Sequence, residues 1–288
     1  MNYQAHDILT GQAQPRAELW RTGIGVLILV AGTLVLTAVW VMAVPLFGPP
    51  GPGRLIPGET PTGMIWILAS FLCPLVMLAL VMRTLHGRTL GSLIGPLPLA
   101  GQQFLRVLPV PLGVLGLALI LPSPGGHDLV ANLPLSAWLV WLGPALLLLV
   151  VQVGTEELIF RGYLQSQLAA RVRSPLVWLV LPSLVFAVLH FDATAGANRW
   201  LIVGVTGLFS LCVADLTARA GTLGPAMALH LVNNFGSLML VGAMGPMQGL
   251  ALYVVPVDMS DPVLRPALVA EALLIIIMWL GARIVLRR

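Results

Sequence analysis

The sequence predicts an all-α fold, a polytopic membrane bundle of about eight transmembrane helices. Two observations carry this expectation. Hydrophobic residues make up 58% of the chain and charged residues 9%, with a mean hydropathy of +0.96, whereas soluble domains run near a quarter charged. The apolar residues also fall into runs of nearly the length, about 20 residues, that crosses a hydrocarbon core of about 30 Å.

Taken in order, residues 1–21 are polar and read as a cytoplasmic N-terminal tail, and residues 22–288 read as a single membrane domain. The first apolar run starts too late and runs too long for a signal-peptide core, so it is expected to stay as an anchor. Spans are expected at 22–47, 63–82, 104–121 and 136–154, then at 174–191, 200–218, 222–244 and 267–286. The stretch GPPGPGRLIPGETPTG after the first run is a loop, because proline removes donors and glycine costs helix entropy. Cys73 and Cys212 each sit inside an apolar run, away from any CxxC or Cys/His spacing, and read as packing residues.

The basic complement is fifteen arginines and no lysine. With the N-terminus cytoplasmic, the loops expected outside hold only Arg54, Arg199 and Arg265, and the other twelve arginines fall inside. Eight spans then place both termini in the cytoplasm. Arginine-only basicity with Ala, Leu and Val richness points to a GC-rich bacterial gene, and so to the bacterial inner membrane. No basic cluster with interleaved aromatics is present, which argues against a nucleic-acid partner.

Against this background the stretch VQVGTEELIFRGYLQ stands out. Residues four apart share a helix face, so Glu157 is expected to pair with Arg161, while Glu156 points about 100° away and is left free. A free carboxylate beside apolar surroundings is a functional candidate. The bland reading is that Glu156 lies among lipid headgroups. In LVFAVLHF, His190 follows Phe186 by one turn. In GPAMALHLVNNFG, His230 and Asn234 share a face. Each polar residue taken singly reads as a helix-helix contact. Together they supply a base for water, a proton carrier and oxyanion donors, the groups that amide hydrolysis needs. They are expected to converge on one cavity open to the cytoplasm.

EELIFR at 156–161, FAVLH at 186–190 and HLVNN at 230–234 resemble the EExxxR, FxxxH and HxxxN motifs of the CAAX protease and bacteriocin-processing family of intramembrane peptidases, which includes the type II CAAX prenyl endopeptidases. The resemblance places the catalytic motifs within 135–245. It implies that Glu156 activates water with help from His190, that His230 and Asn234 stabilise the oxyanion, and that Glu157, Arg161 and Phe186 support the site. Its substrate would be a membrane-associated peptide or protein in the lipid bilayer. A metallopeptidase reading would make Glu156, His190 and His230 a zinc set, but no HExxH lies on one helix, and the expectation is a metal-free mechanism requiring no cofactor. A proton-coupled transporter or a non-catalytic membrane scaffold are the competing functions.

Counted from an expected start at 174, His190 would lie deeper than Glu156 and His230. The expected resolution is a span that begins at Pro182, with 171–181 along the membrane surface and Trp178 at the interface.

Overall fold

The computed structural model describes residues 3–47, 57–122, 126 and 128–287. Most of the Pro/Gly-rich loop, including Arg54, therefore lies outside the described residues. The principal helices are α1 (Asp7–Ala13), α2 (Leu19–Met42), α3 (Pro61–His86), α4 (Leu97–Ile120), α5 (Leu135–Ala169), α6 (Pro175–Leu189), α7 (Arg199–Ala220), α8 (Gly224–Phe235) and α9 (Arg265–Leu286). Local signals set several boundaries. Thr60 caps α3 by accepting from the Gly63 amide, and Pro61 takes the first turn, where no donor is needed. Gly221, at φ 74°, ends α7 in the left-handed conformation that glycine adopts without strain.

The chain is a multi-pass membrane protein. Among the described residues, six helical stretches, those containing α2, α3, α4, α5, α7 and α9, are long and apolar enough to cross a membrane. Leu27, Leu34 and Val39 of α2 face outward, as do Leu273 and Ile277 of α9, a surface suited to acyl chains. The expected count of eight is not confirmed, because two further apolar helices are short. α6 has 15 residues and α8 has 12, about 22 and 18 Å at the rise of an α-helix. α8 is largely wrapped by protein. A Cβ on Gly224 would lie 2.1 Å from the Ala100 carbonyl oxygen, so α8 starts against the backbone of α4.

The last part of the run at 222–244 is also not helical. After a π-helical turn at Gly236–Leu240, residues Val241–Met244 form strand β2, which pairs in parallel with β3 (Tyr253–Asp258). Strand β1 (Val130–Ala131) completes a small sheet of order β1-β3-β2. Apolar runs of this length do not distinguish strand from helix, and the valines of β3 favour the extended form.

Long-range bonds define the two ends of the bundle. At one end the polar N-terminal segment is folded, with Leu9 and Ala13 buried. Here Tyr3 Oη donates to Asp215 Oδ1 at 2.7 Å, and Trp279 Nε1 donates to Asp215 Oδ2 at 3.0 Å, which joins the segment to the late turns of α7 and α9. At the other end, beside the sheet, Arg265 Nε donates to Asn198 Oδ1 at 3.1 Å, and Asn198 Nδ2 donates to the Met259 and Asp261 carbonyls. Cys73 and Cys212 are buried and unpaired.

Candidate active site

Two helices deliver a compact ionic cluster, and two more pack against it. Glu156 and Glu157 close the regular part of α5, which continues without a break into a π-helical segment, Leu158–Gln165. A π turn widens the helix and is common at functional sites. Here it carries Arg161 inward, where Arg161 and Glu157 are each at most 1% exposed. Arg161 Nη1 donates to Glu157 Oε1 at 3.0 Å, as the spacing of four predicted. Arg161 Nη2 donates to Ser210 Oγ on α7 at 2.9 Å, and the guanidinium lies over the Phe186 ring of α6, 4.8 Å from its centroid. One side chain thus pins three helices.

His230 enters from α8. Its Nδ1–H donates to the same Glu157 oxygen at 2.7 Å, and its Nε2 lies 3.3 Å from Glu156 Oε2. That second approach is not aligned as a hydrogen bond, since Glu156 Oε2 is buried without a hydrogen-bonding partner among the described residues. With Nδ1–H committed to Glu157, a neutral imidazole would turn its lone pair toward a second carboxylate. One further proton, on Nε2 or on Glu156, removes that repulsion. It also balances Arg161, His230 and the two glutamates to zero net charge, the condition under which a buried ionic group is tolerated.

Asn234 lies one turn beyond His230 and donates from Nδ2 to Gln152 Oε1 at 3.0 Å. Sequence reasoning missed Gln152, although it precedes Glu156 by one turn on the same face of α5. The pairs 152–234 and 156–230 form two polar rungs between antiparallel helices.

His190 is held differently. It caps the C-terminal end of α6, is exposed, and donates from Nδ1 to the Phe186 carbonyl at 2.8 Å, leaving Nε2 as its basic nitrogen. Its ring lies 4.6 Å from that of Phe186, which in turn lies 6.1 Å from that of His230. Phe186 is the common neighbour of both histidines and Arg161.

The depth mismatch resolves otherwise than expected. Helix α6 runs unbroken from Pro175 with Pro182 inside it, so 171–181 does not lie along the surface as a separate segment. Trp178 is buried against the N-terminal segment, its ring 5.1 Å from that of His6. Because α5 continues to Ala169, Glu156 lies about 20 Å from its end, close to the roughly 22 Å from Pro175 to His190. The helix carrying Glu156 is longer than expected, and the start of α6 needs no shift.

Both nitrogens of His230 face carboxylates, and no group of three or more His, Cys, Asp or Glu among the described residues is placed to hold a metal ion. A cavity of about 1000 Å³ lies toward the sheet end, and none of Glu156, His190, His230 and Asn234 lines it.

Residues 136–236 match the family model described as type II CAAX prenyl endopeptidase Rce1-like. All three motifs fall inside that segment, and the resemblance they carry is borne out there. The chain is 30% identical over 104 residues to the uncharacterized protein YyaK of Bacillus subtilis, an alignment that covers 35% of each chain. It thus spans about a third of the length of that curated relative.

Proposed function

We propose that this chain is an intramembrane peptidase that hydrolyses a peptide bond in a membrane-associated peptide or protein of the bacterial inner membrane, with both termini cytoplasmic. The observation that carries the proposal is the unaligned 3.3 Å approach of Glu156 to His230 Nε2 within a cluster whose other members are tightly held. A base must be free to take a proton, and Glu156 is the carboxylate left free by the Glu157–Arg161 pair.

In this reading a water beside Glu156 loses a proton to its carboxylate while the water oxygen attacks the scissile carbonyl carbon. The oxyanion that forms accepts from His230 Nε2–H and from Asn234 Nδ2, which Gln152 orients. Collapse of the tetrahedral intermediate breaks the C–N bond, and the proton held by Glu156 passes to the departing amine. His190 Nε2 is a second proton acceptor, reached past Phe186. Glu157, Arg161 and Phe186 act by holding His230 and the three helices in place. No step uses a cofactor or a nucleic-acid partner.

The test is cleavage by purified protein, with the peptide first identified by comparing the proteomes of cells that carry wild type or Glu156→Gln. The substitution keeps size and hydrogen bonding but removes the base, and cleavage should fall by about 10² to 10⁴. Cleavage at the wild-type rate would replace this reading with a proton-coupled transporter or a scaffold. Activity lost on zinc removal and restored by zinc would keep the peptidase and assign it a metal mechanism.

A further inference from the structure

The cavity of about 1000 Å³ is bounded by α4, α8 with its π turn, α9 and the sheet. Glu271 of α9 faces into it. The residue lies on the stripe formed by Leu264, Leu268, Glu271, Leu274 and Met278, which recurs at helical spacing and lines the cavity. The opposite stripe, with Leu273 and Ile277, faces outward. Glu271 is half-buried, in the wall of the cavity. It makes no hydrogen bond or ion pair with the described residues, and no basic residue among them lines the cavity. An isolated carboxylate in such a wall is costly, and a cation entering beside it offsets that cost.

The remaining lining narrows the kind of cation. A divalent metal takes six or more oxygen ligands, and no three His, Cys, Asp or Glu among the described residues are grouped to hold one. No aromatic ring lines the cavity, which argues against a quaternary ammonium cage. Asn233 and Ser237, one turn apart on the α8 side, add hydrogen-bond acceptors near the apolar wall. A primary ammonium has three donors to place. Four methionines, Met244, Met247, Met259 and Met278, supply a deformable apolar surface. The volume lies at the upper end of the range for small-molecule sites, about 300 to 1000 Å³. Asp128, Asp192 and Asp258 also line it. Hydroxyl hydrogen bonds from Thr194 and Ser260 hold Asp192 and Asp258 below the usual carboxylate range, so these two are anionic at neutral pH.

We propose that this cavity binds an organic monocation built as a primary ammonium on an apolar body, with Glu271 as its counter-ion. The site is separate from the Glu156–His230 cluster and does not rest on the peptidase reading. The probe is a dodecylamine carrying a diazirine on its alkyl chain, photolysed with the full protein in lipid nanodiscs and mapped by mass spectrometry. Saturable labelling is expected at cavity residues such as Leu115, Gly236 and Met278. Dodecylamine should compete for it and dodecanol should not. Glu271→Gln should lower labelling by about tenfold or more, as expected for a lost charge-assisted pair, while Glu271→Asp retains most of it. Glu156→Gln should label as wild type does, whatever its effect on cleavage. Equal competition by dodecanol in the wild-type protein, labelling confined to lipid-facing Leu273 and Ile277, or Glu271→Gln labelled as strongly as wild type would each overturn the proposal.

Discussion

Glu156 and Glu157 are neighbours in sequence with opposite circumstances. Glu157 receives Arg161 and His230 on one oxygen in a site closed to solvent. Glu157→Gln leaves Arg161 buried without its counter-charge, and should lower stability by about 3 to 5 kcal/mol, seen as a lower melting temperature in detergent. Glu156→Gln should melt near wild type and lose cleavage alone. Gln152 separates positioning from packing, because its contact is with the Asn234 amide. Gln152→Leu should slow cleavage by about 10- to 100-fold through misplacement of that donor, with KM nearly unchanged. Gln152→Glu retains an acceptor for Asn234 and should recover part of the rate. A purely structural role for Gln152 would instead move the melting temperature and leave the ratio of kcat to KM intact in folded protein.

The helices that hold the histidines are the two that fall short of a full span, and protein rather than lipid surrounds much of α8. Their positions depend on close backbone approach. At Gly224 an added Cβ would meet Ala100 backbone, whereas at Gly143 in α5 nothing lies within 4 Å. Gly224→Ala should therefore displace α8 and destabilise by about 1 to 3 kcal/mol, as overpacking does. Gly143→Ala should be neutral or slightly stabilising, since alanine is the better helix former. Thermal melting of the two variants side by side checks this. Equal melting temperatures would mean that α8 shifts freely over α4.

The N-terminal segment closes one end of the bundle. His6 is buried with its ring stacked 5.1 Å from that of Trp178, and neither ring nitrogen has a hydrogen-bond partner among the described residues. Burial holds its pKa down to about 4, from an ordinary 6.5. The neighbouring titratable groups are Tyr3, whose ring meets Trp178 edge-on, and Asp7. A detached segment takes up a proton below 6.5 that the packed segment refuses until about 4, so docking weakens as pH falls through that window and is unaffected above it. The loss approaches about 3 kcal/mol at its limit. Amide exchange of residues 4–13, corrected for intrinsic rates, should quicken between pH 7.5 and pH 5. In His6→Phe that dependence should vanish. Orientation has its own test. Arg16, Arg21 and Arg219 gather at this same end through contacts with His86, Leu85 and Asp215, which supports a cytoplasmic N-terminus. Single cysteines at Gln14 and Gly126 should then react from opposite sides of the membrane, and labelling from one side would reject the topology.

Hydropathy is a sum of local transfer free energies, which is why the sequence by itself determined that the chain crosses a membrane repeatedly and where the six long helices run. Helical spacing is also local, so the Glu157–Arg161 pair and the shared face of His230 and Asn234 were legible in the order of residues alone. What touches those faces is a matter of long-range packing. The sequence could not tell that α5 runs on to Ala169 and thereby sets the depth of Glu156, or that Pro182 sits within α6 instead of starting it. Nor could it tell that Gln152 meets Asn234 or that valines 254 and 255 pair as a strand. Glu271 drew no expectation from the sequence, although it lies within the last apolar run. Its direction into a cavity and its lack of a counter-ion were decided by the tertiary structure, because the cost of a buried charge depends on what surrounds it and not on its place in the chain.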